Sequence, residues 1–164
     1  MRLVLKHFRK QSLLLTGLAG VLVSCGGSSD PLQVRQFHLR DTDIANKDAQ
    51  MVRAEQLYRM NGAVTLEQRK NRLGNYYTIY WDTPEAAAGG MKIIFEYQQA
   101  ATSSKVLTMT RNIPAGQSTG SMELNIIGKA YREGGSVLAW RARLMKGNQV
   151  IDSKRSYLWR SSGR

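Results

Sequence analysis

The stretch VLAWRARLMKGNQVIDSKRSYLW, residues 137–159, decides the fold class. At its centre KGNQ (146–149) sets Gly147 and Asn148 between two runs of alternating apolar and polar residues, the pattern of a β-hairpin closed by a two-residue turn. Pairing Lys146 with Gln149 fixes every other partner. One face then collects Leu138, Trp140, Ala142, Leu144, Ile151, Tyr157 and Trp159, with Ser153 and Arg155. The other carries Arg141, Arg143, Asp152, Lys154 and Ser156, with Val137, Ala139, Met145, Val150 and Leu158 nearer its ends. Both strands sort alike in one register, and a slip of one residue would turn every side chain over. This register sets Arg155 across from Trp140, its stem on the indole and its charge over the π-face.

Upstream, the same period of two recurs. NYYTIYWD sets Tyr77, Ile79 and Trp81 against Tyr76, Thr78 and Tyr80. GMKIIFEYQ sets Met91, Ile93, Phe95 and Tyr97 against Lys92, Ile94 and Glu96, and SMELNII sets Met122, Leu124 and Ile126 against Glu123 and Asn125. KVLTMTR and LQVRQFHLR add two more strands, the second less regular. Residues 47–61 predict one short amphipathic helix, with Met51, Ala54, Leu57 and Tyr58 on its apolar side, Asn46 or Asp48 at its start and Gly62 at its end. TLEQRKNRLG adds a further helical turn, because Thr65 and Gln68 have capping-box spacing and Gly74 can end it. Six or seven short strands turned by Gly, Pro, Ser and Asn predict a mainly β protein, an antiparallel β-sandwich with the helix at one edge or end. In strand number and spacing the chain resembles immunoglobulin and fibronectin type III sandwiches, without the cysteine pair of true immunoglobulin domains.

The N-terminus is of another kind. Arg2, Lys6, Arg9 and Lys10 precede SLLLTGLAGVLVS, a run too short for the about 20 apolar residues of a permanent membrane helix. A charged start, a short apolar middle and small residues at its end describe an export signal. The run closes on Leu22, Val23, Ser24 and Cys25, which resembles the lipobox of bacterial lipoproteins. That resemblance implies cleavage of residues 1–24, a diacylglyceryl thioether on Cys25 as membrane anchor, and, with Gly26 rather than Asp next in line, an outer-membrane address in the cell envelope. Residues 25–32, with GGSSDP, suit a flexible tether, and residues 33–164 one β-sandwich domain. Without residues 1–24 the formal charge falls from +12 to about +8, and the chain's single cysteine is consumed by lipid, so no disulfide is expected.

Chemistry-bearing residues are sparse. The mature chain has one histidine, His38, so a zinc site or a Cys–His pair lacks ligands, and a Ser–His–Asp triad would have to run through that residue. DTDIANKD brings Asp41, Asp43 and Asp48 together but has Asn46 and Val52 where a calcium loop needs Gly and Glu. Asp82 and Glu85 beside Trp81 have a composition compatible with a sugar site, but they read more plainly as a strand end followed by a turn. We therefore expect no catalysis, no metal and no cofactor. The basic residues Arg141, Arg143 and Lys154 and the aromatic Trp81 are the candidate ligand contacts. The expected role is a lipid-anchored envelope binding, scaffold or assembly module that engages the membrane through Cys25, with a protein or an anionic glycan or lipid as partner and no nucleic acid. The alternatives are a carbohydrate-binding or glycan-processing protein using Trp81, and a lipoprotein that contacts anionic lipid through its basic strand face. The plainest account of those cations is the wetted side of a sheet.

Overall fold

A computed structural model describes residues 30–40, 49–102 and 104–159. Cys25, the signal segment, most of the tether and the aspartates Asp41, Asp43 and Asp48 lie outside the described residues. The chain folds as β1 (Leu32–Leu39), α1 (Gln50–Met60), α2 (Leu66–Arg72), β2 (Gly74–Asp82), β3 (Met91–Gln99), β4 (Leu107–Asn112), β5 (Thr119–Ile127), α3 (Gly128–Gly134), β6 (Val137–Lys146) and β7 (Gln149–Arg155). Two antiparallel sheets result, one ordered β1-β2-β5 and the other β4-β3-β6-β7. The protein is a mainly β, antiparallel β-sandwich.

The alternation read from sequence is what closes it. Tyr77, Ile79 and Trp81 of β2, Leu124 and Ile126 of β5, Met91, Ile93, Phe95 and Tyr97 of β3, and Trp140, Ala142 and Leu144 of β6 meet in one core. Tyr77 lies against Phe95, with ring centroids 4.7 Å apart, and Trp140 is 5.7 Å from Tyr77 and 5.9 Å from Phe95. Each such aromatic pair contributes about 0.5–1.5 kcal/mol beyond simple burial. Polar groups stitch the sheets together where the core thins. The Asn75 side-chain carbonyl, 1 % exposed, accepts the Val137 N–H at 3.0 Å, and Trp140 Nε1–H donates to Gln36 Oε1 at 2.9 Å.

The hairpin turns where expected, with Gly147 at φ 58°, and Lys146 faces Gln149 and Met145 faces Val150. Beyond that pair the expected register fails. Leu144 faces Asp152, Arg143 faces Ser153, Ala142 faces Lys154 and Arg141 faces Arg155, because a bulge takes up Ile151. Asp152 and Lys154 therefore share the side of Leu144 and Ala142, whereas Ser153 and Arg155 move to the opposite side, and Arg155 is not across from Trp140. The incoming chain supplies the reason: Asp152 Oδ2 accepts the Leu32 N–H at 3.1 Å and Lys154 pairs with Asp30 at 2.7 Å, so both polar groups are satisfied at the rim. A second irregularity beside Gln98 and Gln99 leaves Leu138 51 % exposed and turns Val137 into the core instead. Past Arg155 the strand ends, Tyr157 is exposed and Trp159 folds back over Arg141.

The helices correct the sequence reading more than the strands do. α2 carries the expected capping box: Thr65 Oγ1 accepts the Gln68 N–H at 3.1 Å and Gln68 Oε1 accepts the Thr65 N–H at 3.0 Å. α3, which no sequence signal had singled out, is held by buried Gln99, whose Nε2 donates to the carbonyls of Ala130 and Gly135. α1 lies over the outer face of the three-stranded sheet, where Arg59 stands 4.2 Å from the Tyr76 ring centroid and pairs with Glu55 and with Glu123 of β5. Met60 joins Leu39, Leu73, Tyr76 and Phe37 in a second, small cluster there. The expected apolar side of α1 points the other way: Met51, Ala54, Leu57 and Tyr58 are exposed, and Arg59 faces the domain, with Arg53 and Glu55 half-buried at the flanks.

Candidate anion-binding face

The outer face of the four-stranded sheet is defined by register. Thr108, Thr110 and Asn112 of β4 stand beside Glu96, Ile94 and Lys92 of β3. These stand beside Arg141, Arg143 and Met145 of β6, and Arg155 and Ser153 of β7 complete the row. Four cations, Lys92, Arg141, Arg143 and Arg155, thus share this face with one carboxylate, Glu96. Arg141 Nε–H donates to Glu96 Oε2 at 2.7 Å, and Arg143 Nε lies 3.2 Å from the same oxygen. One mostly covered carboxylate, 14 % exposed at its side chain, holds two guanidiniums. Arg141 is further fixed by Trp159, its guanidinium 5.1 Å from the ring centroid. Such packing removes rotamer freedom before any ligand arrives, which is the condition for tight recognition by a planar, multi-donor group.

The charge is not balanced within the face. Arg141 and Arg155 are direct cross-strand partners, and like charges in that position are destabilising. Glu96 offsets one positive charge of the row. The Arg143 Nε–H is buried and not aligned as a hydrogen bond on the carboxylate beside it. The arrangement offers several charge-assisted donors on a flat surface, suited to phosphate, sulfate or carboxylate oxygens.

Of the four candidate contacts, two meet here and two do not. Arg141 and Arg143 share the face. Lys154 is carried off it by the bulge to the pair with Asp30, whose hydrogen bond raises its pKa. Trp81 is 3 % exposed, donates to the Gln117 carbonyl at 3.3 Å and packs so closely on Gly120 that a Cβ there would sit 2.3 Å from the ring. Its ring is core and presents no face to a sugar. Asp82 ends β2 and Glu85 accepts a hydrogen bond from Thr83 in the short 3-10 turn Pro84–Ala88, the strand end and turn of the plainer reading. His38 Nε2 is 2.8 Å from the Tyr131 hydroxyl, a local structural contact. Sequence reading set Arg155 on the opposite face, across from Trp140, and missed Lys92 and the organising Glu96. The alternation of β3 already paired Lys92 with Glu96 on one side, but their proximity to β6 is a matter of sheet order.

Among the described residues no group of three or more His, Cys, Asp or Glu side chains could hold a metal ion, and no helix is long and apolar enough to cross a membrane. No protein-family model, curated protein or solved structure matches the chain.

Proposed function

We propose that this chain is a lipid-anchored protein of the bacterial cell envelope, held through Cys25, that acts without catalysis as a binding module. Its working surface is the outer face of the four-stranded sheet, and its ligand is an anionic envelope component or the acidic surface of a protein. The observation that carries this reading is the Arg141–Glu96–Arg143 arrangement with Arg155 directly opposite Arg141, a row whose repulsion an anion would relieve. The strand order also supports a fibronectin-like sandwich: a constant-type immunoglobulin domain carries its fourth strand on the sheet of its first, second and fifth strands, whereas β4 here sits beside β3.

The test uses the full lipidated chain in zwitterionic nanodiscs, with inorganic polyphosphate as the probe. Binding is expected to weaken steeply with added salt. Loss of one charge-assisted contact in Arg155→Gln lowers affinity about tenfold, which corresponds to about 1.4 kcal/mol. Unchanged binding by both Arg155→Gln and Arg143→Gln would remove this face from consideration. The anchor has its own measurement: the mass of the N-terminal peptide, with Cys25→Ser expected to abolish lipid labelling and leave unprocessed precursor.

A further inference from the structure

The exposed side of α1 has no place in the function proposed so far. Gln50, Met51, Ala54, Leu57 and Tyr58 form it, with Met51 85 %, Leu57 58 % and Tyr58 72 % exposed, and none of them is charged. A helix that keeps its charges off its exposed side and turns most of its apolar residues outward is patterned for an apolar surface outside its own domain. We propose that this surface is the bilayer into which Cys25 is inserted, so that α1 rests on the membrane and the domain lies on its three-stranded sheet. This rests on the lipid-anchor reading above.

Chain length and position select the membrane over other occupants. Asp30 pairs with Lys154 and the Leu32 N–H with Asp152, so only the five residues from Cys25 to Asp30 separate the anchor from the sandwich, a length of about 17 Å at full extension. The tether departs from β1, an edge strand of the sheet whose outer face carries α1. Tyr76, against which α1 packs through Arg59, pairs with Phe37, five residues along β1 from Leu32 and therefore about 17 Å away. A bilayer touching α1 is thus within reach of the anchor. The short tether also keeps the apolar side at high local concentration beside lipid, so that a patch too small to bind membranes alone binds once anchored. The same outer face carries exposed Arg35 over the Tyr80 ring, at 5.2 Å, an amphipathic pair suited to headgroup depth. In this pose the basic face of the opposite sheet points away from the membrane, toward soluble or cross-envelope ligands rather than the lipid beneath.

The experiment reads depth. Lipidation consumes Cys25, so Leu57→Cys or Ser153→Cys supplies the one free thiol for an environment-sensitive fluorophore on the full chain. The labelled protein is reconstituted in phosphatidylethanolamine and phosphatidylglycerol vesicles containing bromine-labelled acyl chains. Strong quenching and a blue shift at position 57, with neither at position 153 on the far sheet, is the expected result. A label at Tyr58→Cys should lose its quenching when Met51→Glu and Leu57→Glu are added, with the circular dichroism spectrum unchanged. Quenching at 153 instead, quenching at neither position, or concentration-dependent energy transfer between labelled copies showing a dimer through α1, overturns the proposal. A lipidated N-terminal peptide together with an unquenched position 57 sinks this inference alone, whereas an unlipidated peptide sinks the anchor reading along with it.

Discussion

Tyr77 carries a hydroxyl that the sandwich does not use. Its ring is fully buried between Phe95 and Trp140, its oxygen has no hydrogen-bond partner, and burial pushes the phenol well above its ordinary pKa. An unsatisfied buried polar group costs about 1–3 kcal/mol, so Tyr77→Phe should raise stability by about 1 kcal/mol in urea unfolding. A loss of stability would mean that the hydroxyl has a partner after all. His38 is displaced in the other direction: burial first, and then the Arg40 guanidinium, hold its imidazole below 6.5. The unfolded chain then binds the proton more readily than the native one, so stability is constant above the unfolded value and falls as pH drops through it. The thermal midpoint should decline between about pH 7.5 and about pH 5.5, and His38→Gln should flatten that decline. Neither environment was legible in sequence, because alternation places Tyr77 inside but cannot say whether a partner waits there.

At the scale of the element, β2, β3 and β5 follow their alternation, since each side of a strand meets one environment along its whole length. β7 does not, and the difference is one residue: a partly buried Ile151 taken up in a bulge exchanges the sides of Asp152, Ser153, Lys154 and Arg155. That exchange removed Lys154 from the candidate site and put Arg155 in its place. α2 was legible because a capping box is local chemistry. Thr65→Ala should cost about 1 kcal/mol of helix stability, seen as faster hydrogen exchange of the α2 amides with the sandwich amides unchanged. The start of β2 is governed by close approach: Gly74 has φ 143° and a Cβ there would lie 2.2 Å from the Ile126 carbonyl oxygen. Gly74→Ala is accordingly expected to cost more than about 2 kcal/mol, measured by the same urea unfolding. For α1 the 3.6-residue period located the helix correctly, yet it could not tell which side the domain would cover, since Arg59 found Tyr76 and Glu123 on the sheet.

Across the whole molecule, stability is uneven by construction. α1 and α2 contain no buried residue and touch the sandwich through a small cluster, whereas β2, β3 and β6 carry the main core. Native-state hydrogen exchange should therefore show the two helices opening at free energies well below global unfolding, with the central strands exchanging only through it. Uniform protection would mean that cap and sandwich form one cooperative unit. Alternating residues, turn glycines and a capping motif determined from sequence alone that this chain makes short antiparallel strands, a hairpin at Gly147 and Asn148 and helices before β2. These depend on neighbours a few positions away, and the chain carries such information in every conformation. Tertiary structure alone decided the partners: the bulge that answers a hydrogen bond between Leu32 and Asp152, 120 residues apart, the burial of Trp81 against Gly120, and the meeting of Glu96 with Arg141 and Arg143. Contacts of that range exist only once both sheets have closed, because the free energy that selects a register or a buried side is shared between segments that no local pattern can join.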